Sequence, residues 1–187
     1  MKRTQITHLK SNVSNLTSHI SNLMNHISLL ISLLLFCQIG YAQDNKHAVN
    51  TVMDNWHKAA ADAKFDTYFG LMDDESIFIG TDATERWDKK AFMAYAKPHF
   101  DRGRAWSFTS LERFVNFSKD GKTAWIDELL NTQMKICRGS GVLEFKNGKW
   151  LIKHYVLAMT IPNDFVDKIT PLKAPIEDKL IDSLKRK

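Results

Sequence analysis

Two groups of side chains in this chain have the types and spacing to do chemistry. The first lies in Ser76-Ile77-Phe78-Ile79-Gly80-Thr81-Asp82-Ala83-Thr84-Glu85-Arg86-Trp87, a short apolar strand that runs into a polar, aromatic loop. With a helix following, Phe78, Thr81, Asp82, Glu85 and Trp87 would stand around the rim of a pocket. The second group is spread over later, strand-like segments: Glu128, Arg138, His154 and Tyr155, with Trp106 as a further wall residue. A carboxylate at Asp82 or Glu128, its pKa raised by burial, could act as a general base, while Tyr155, Trp87 or Arg138 holds a developing oxyanion. Such a base contributes about 10²–10⁴-fold of rate. The same residues have plainer uses. Glu128 and Arg138 can form a satisfied buried ion pair, with His154 closing a hydrogen-bond network. Asp82 and Thr81 can cap a turn by bonding nearby backbone amides.

Several other chemistries are excluded. Past residue 42 the histidines are His47, His57, His99 and His154; they lack the paired spacing of a zinc site, and no His-Glu-x-x-His occurs. No metal and no cofactor is called for. Gly139-Ser140-Gly141 falls in a strand-like segment and opens no helix, so it is neither a phosphate loop nor a nucleophile elbow. Cys137 reads as a packed thiol, since only Arg138 among its neighbours could activate it.

The ends of the chain account for most of its charge. The net charge is +5 and the pI about 9.1. Residues 1–42 hold three basic and no acidic residues, and Lys168 onward adds six basic and three acidic, leaving 17 basic against 18 acidic in residues 43–167. Nucleic-acid binding needs a basic face on the folded domain, and this balanced body offers none. Residues Ile27 to Ile39 form an apolar run followed by Gly40-Tyr41-Ala42, with small residues where a signal peptidase cuts. Residues 1–42 therefore read as a signal peptide, with Met24 as an alternative start, and the product as secreted or periplasmic. The run is shorter than the ~20 residues of a membrane span, so no stable anchor is expected. Cys37 sits inside it behind Phe36, which does not suit lipidation. Cleavage leaves Cys137 alone, without a disulfide partner.

The elements that must position these residues follow from periodicity. Val49, Val52, Met53, Trp56, Ala60 and Ala63 recur at helical spacing and predict a helix from about Asn45 to Asp62. A second short helix turns Phe65, Tyr68, Phe69 and Met72 inward and ends at Asp73-Asp74-Glu75; Ser76 to Gly80 is then the first strand. Asp88 is an N-cap for a helix carrying Phe92, Tyr95, Ala96 and Phe100, with Pro98 expected to bend or end it and Gly103 to stop it. From Arg104 the period becomes two. Four strands are expected: Arg104 to Phe117, Lys122 to Lys135, Gly139 to Lys146 and Lys149 to Ile161, the last two joined by the hairpin signal Asn147-Gly148. The body, 43–167, suits one domain, and 168–187 is a charged tail whose Ile176, Leu180 and Leu184 suggest a terminal helix.

The element order, Ile79-Gly80-Thr81-Asp82 with Glu85-Arg86-Trp87, Trp125-Ile126-Asp127-Glu128, Arg138-Gly139-Ser140-Gly141-Val142-Leu143 and Gly148-Lys149-Trp150-Leu151-Ile152-Lys153-His154 together resemble the SnoaL-like branch of the nuclear transport factor 2-like superfamily, over about residues 46–163. The resemblance implies a cone-shaped α+β fold, with three N-terminal helices packed on a curved, mainly antiparallel sheet, a pocket at the open end, and a homodimer formed through the outer sheet face. It also turns the Glu128, Arg138 and His154 faces of their strands toward the cavity. Relatives include cyclases, isomerases, dehydratases and non-catalytic binding domains, so the fold does not choose the activity. The expectation is an exported domain whose pocket binds a small, largely apolar molecule with no demonstrable catalytic step. The alternatives are an isomerase, dehydratase or cyclase using a pocket carboxylate as base, and a homodimeric interaction module.

Overall fold

The computed structural model describes Met24 and residues 45–186. Apart from Met24, the expected signal peptide lies outside the described residues. The chain divides into two compact units, Met1–His47 and Ala48–Lys187, and the second carries every element below. Among the described residues no helix is long and apolar enough to cross a membrane.

Helix α1 runs through residues 48–61 and buries the stripe Val49, Met53, Trp56 and Ala60. Helix α2 (Phe65–Gly70) buries Tyr68 and Phe69. Strand β1 spans Met72–Ile79 and therefore starts four residues before the expected Ser76, taking in the acidic Asp73-Asp74-Glu75. Those acids do not end a helix. The strand bulges between Met72 and Ile77, and the buried Asp73 accepts from Lys146 and Lys153 at 3.1 Å each. The Glu75 backbone amide, with help from the two lysines, holds the Asp73 carboxyl down at about 2.

Strand β2 (Arg86–Asp88) pairs antiparallel with β1, placing Trp87 opposite Phe78. Sequence periodicity reads this segment as loop, because three residues are too few to show alternation. Asp88 then caps α3 (Lys89–Asp101), its side chain accepting from the Ala91 amide at 2.8 Å. Pro98 does not end the helix, which continues to Asp101; so close to the C-terminus the missing N–H costs a single bond. Gly103, at φ 77°, donates its amide to the Phe100 carbonyl and stops the helix as expected.

Four long strands follow: β3 (Thr109–Phe117), β4 (Thr123–Thr132), β5 (Lys135–Lys146) and β6 (Lys149–Met159). Residues 104–108, expected at the start of a strand, are irregular. Asn147 and Gly148 both have positive φ, which fits the tight hairpin between β5 and β6. The six strands form one mixed sheet in the order β2-β1-β6-β5-β4-β3, antiparallel except for the parallel β1–β6 pair. Helices are not confined to the N-terminal half: a short 3-10 turn (Asn163–Phe165) leads into α4 (Val166–Lys185), which has no buried residue.

The inner face of the sheet is defined by Ala124, Ile126, Glu128 and Leu130 on β4, Cys137, Gly139 and Leu143 on β5, and Tyr155 and Leu157 on β6. Together with Trp56, Tyr68, Phe69, Phe78, Phe92 and Phe100 from the earlier elements, these residues make one core. At about 25 cal/mol per Å² of apolar surface removed from water, burying rings of this size is the main favourable term in the fold.

Candidate functional site

A carboxylate inside this core is the first requirement the site must meet. Glu128 is only 2% exposed, and an ionised carboxylate taken out of water costs several kcal/mol unless it is paired and hydrogen-bonded. Three elements supply the partners. His57 of α1 meets Oε1 through Nε2 at 2.8 Å. The Tyr155 hydroxyl of β6 donates to the same oxygen at 2.7 Å, and Arg113 Nε of β3 donates to Oε2 at 2.8 Å. A carboxylate only accepts, so the His57 proton facing it is on Nε2. Arg113 reaches further, donating through Nη1 to Asp54 Oδ1 at 2.8 Å and to the Asn50 carbonyl at 3.3 Å, and so ties α1 to the sheet.

Gly139 makes the arrangement possible. It sits opposite Glu128 in the β4–β5 register, and a Cβ there would lie 2.0 Å from the Tyr155 hydroxyl and 3.0 Å from Glu128 Cγ. The first is far inside van der Waals contact with a buried ring, and the second is tight. Burial pushes the Glu128 carboxyl up, but the hydrogen bond and charge of His57, the charge of Arg113 and the Tyr155 hydroxyl outweigh it and leave the group below its ordinary value. Burial first, and then the Glu128 charge, push Tyr155 well above the usual phenol range.

The partners differ from those the sequence suggests. Arg138 is exposed and His154 is half-buried on the opposite sheet face; Arg138 pairs across strands with Leu129, and His154 with Val142. The expected Glu128–Arg138 pair does not form. In a strand, a change of one residue moves a side chain to the other face, and here the inward positions belong to Gly139 and Tyr155. Asp82 is also exposed. Its Oδ1 accepts from the Thr84 hydroxyl at 2.6 Å and the Thr84 amide at 2.8 Å, and these bonds, the hydroxyl first, hold the carboxyl below its ordinary value. It makes a turn.

None of Glu128, His57, Arg113 and Tyr155 lines the open space of this domain. A cavity of about 180 Å³ is walled by the rings of Phe78, Trp87, Phe92, Tyr95, Trp106 and Phe108. Thr81, Glu85 and Gln133 supply its polar lining. Of the wall residues expected from the sequence, Phe78, Thr81, Glu85, Trp87 and Trp106 are brought together here. Tyr155 is not among its lining; it is the cross-strand neighbour of Phe78, with ring centroids 6.0 Å apart. A second depression, about 480 Å³, shares Trp106 and Gln133 and is lined by Arg104 and Asn131. Among the described residues no group of His, Cys, Asp and Glu is arranged to hold a metal ion.

His57 and Arg113 are the residues that sequence reasoning missed. His57 lies four residues after Met53 and three before Ala60 on the buried stripe of α1, which is a usable signal for an inward imidazole. Arg113 carried no comparable signal. It adjoins the equally charged Glu112, and alternation alone does not say which of the two points inward.

This six-stranded sheet, with helices and an aromatic cavity on its inner face, is a nuclear transport factor 2-like fold. The solved structures it resembles include a domain of unknown function with a cystatin-like fold from Nostoc punctiforme, at TM-score 0.58 and 16% identity, covering 77% of this chain and 98% of that one. A nuclear transport factor 2-like protein from Cytophaga hutchinsonii aligns at TM-score 0.52 and 13% identity, covering 62% and 98%. One from Pseudomonas putida gives 0.53 and 13%, covering 62% and 87%. No curated protein matches by sequence. The SnoaL-like domain family matches residues 49–162, and the chain belongs to that family.

Replacing one partner of a buried ion pair costs about 3–5 kcal/mol, and Glu128→Gln is expected to lose that much at pH 7 in urea denaturation. Because the folded Glu128 value is lowered from 4.5, its contribution is complete above about that pH and is lost as pH falls through the folded value. The gap between wild type and variant therefore narrows in acid. A gap that stays constant down to pH 3 would show that the carboxylate charge is not what the partners hold.

Proposed function

We propose that this SnoaL-like domain binds a small, largely apolar, ring-containing molecule in the 180 Å³ cavity and that Glu128 does not act as a general base. The observation that carries this reading is the separation of the two features. The aromatic walls line open space, while the carboxylate buried in the core, Glu128, has both oxygens engaged by His57, Arg113 and Tyr155. A base for carbonyl chemistry must reach a substrate proton and is tuned upward toward neutral pH; Glu128 is tuned downward. The cavity is small for a drug-sized ligand, but an apolar cavity of about 150 Å³ accommodates benzene. With Trp87 and Trp106 in its wall, occupancy is readable in tryptophan fluorescence. Titration with toluene, which does not absorb where tryptophan is excited, is expected to change the emission saturably, and Trp106→Ala to weaken binding about tenfold, in line with the loss of one aromatic contact. Unsaturable, wild-type-like responses in both proteins would refute the site.

A second feature supports assembly as a homodimer. The outer sheet face exposes Phe114 (53%) and Trp125 (46%), flanked by Leu129 and Val142, and contiguous exposed apolar surface marks an interaction site. The second copy would lay the same face on this one, as two-fold symmetry allows. Light scattering of residues 43–187 is expected to give twice the chain mass, and Trp125→Glu to give the monomer. A monomeric wild type at 100 µM would contradict the proposal. Export is part of the same reading, supported by the apolar run and the small residues Gly40 and Ala42. Its mark is a mature chain beginning at Gln43, and a chain retaining residues 1–42 in the cell would argue against it.

A further inference from the structure

The aromatic cavity contains a single charged wall residue. Glu85 is half-buried beside Thr81 and Trp87, and none of the lining residues is a lysine or arginine. Among the described residues, no cation lies within ion-pairing distance of its carboxylate. The loop is nevertheless built around that carboxylate. The Asp82 amide donates to Glu85 Oε2 at 3.2 Å. The Glu85 amide donates to the Asp82 carbonyl at 3.0 Å, and the Gly80 amide to the Glu85 carbonyl at 2.9 Å. A Cβ at position 80 would lie 2.2 Å from Glu85 Oε2, so glycine is the residue that lets the carboxylate fold in over the strand end.

The rings beside it are oriented in common. Phe78 and Phe92 stack at 4.1 Å and 9°. Trp87 lies at 13° to Phe92 and 23° to Tyr95, and Trp106 at 21° to Phe92. Walls this nearly parallel suit another flat ring as a further layer of the stack. Aromatic faces also carry the negative part of the ring quadrupole and attract a cation placed over them. An anionic side chain beside such faces gives the same preference a second source. The cation among the linings of the two spaces, Arg104, belongs to the neighbouring depression, which shares Trp106 and Gln133 with this one.

We propose that the cavity selects a small aromatic cation, a single flat ring carrying an ammonium-type charge, and that Glu85 is the residue that reads the charge. This rests on the reading of the cavity as a ligand site and adds the chemical class of the ligand. Shape and charge are separable by a matched pair of probes, phenyltrimethylammonium and its neutral isostere tert-butylbenzene, which differ in one atom.

Both probes are titrated into residues 43–187 and followed by calorimetry and tryptophan fluorescence. The cation is expected to bind about tenfold tighter than the neutral probe, and its advantage to shrink as sodium chloride is raised. In Glu85→Gln, which keeps an oxygen to accept from Asp82, the two probes are expected to bind alike. Circular dichroism and thermal melting establish that the variant is folded, and the comparison of probes on the wild type does not depend on any variant. Equal affinities of the two probes for the wild type would overturn the charge selection while leaving the cavity a ligand site. Failure of both to bind would overturn the cavity reading, and this inference with it.

Discussion

The placement of one carboxylate inside an apolar core constrains most of what surrounds it. Glu128 has to be met by donors, and they come from α1, β3 and β6 as His57, Arg113 and Tyr155. Each contact fixes the element that bears it. Arg113 holds the side of α1 that carries Asn50 and Asp54, while the Tyr155 hydroxyl bond sets the depth of its ring above Gly139 and Gly141. Such a cluster is not efficient as a source of stability, since well-packed apolar residues of the same volume often do as well. Its effect is on specificity: the observed register brings Gly139 opposite Glu128, where a Cβ would lie 2.0 Å from the Tyr155 hydroxyl.

The same constraint separates the polar interior from the open cavity. Tyr155 stands beside Phe78 across the β1–β6 pair, and no member of the Glu128 cluster lines the space bounded by Trp87, Phe92 and Trp106. The cavity is therefore shaped by rings whose positions derive from three sources: the β1–β2 pairing that sets Trp87 beside Phe78, the three-residue spacing that brings Phe92 and Tyr95 to one side of α3, and the irregular 104–108 segment that carries Trp106 and Phe108 across. The carboxylate left for a ligand to meet is Glu85, held by the turn that Asp82 and Gly80 form. On the proposed reading, a ligand there would be held through shape, stacking and one charge.

Much of this could be read from the residues, and the failures have a common cause. The α1 stripe, the Asp88 cap, the Gly103 stop and the Asn147-Gly148 hairpin all rest on local rules, and each is where the sequence places it. The wall residues Phe78, Thr81, Glu85 and Trp87 could be named because the loop between a strand and a capped helix is a local pattern too. Choosing inward from outward faces needs long-range information. Arg138 and His154 were assigned inward by resemblance, yet the residues beside them, Gly139 and Tyr155, face the core. A large aromatic next to a histidine and a glycine next to an arginine already favoured the observed parity, because the apolar or smaller member of each pair is the one a core can take. Asp73 shows the opposite difficulty: an acid that reads as a helix end is buried in a strand, made tolerable by Lys146 and Lys153 more than seventy residues away.

Whether Glu128 is a held anion or a tuned base is measured directly by its titration in the folded protein. Carbon-13 NMR of the glutamate side-chain carboxyl, assigned with Glu128→Gln, follows the group through the acid range. A midpoint below the ordinary glutamate value of 4.5 is the predicted result. A midpoint above about 6, where catalytic carboxylates are tuned, would mean that burial outweighs His57, Arg113 and Tyr155, and would restore Glu128 as a candidate base.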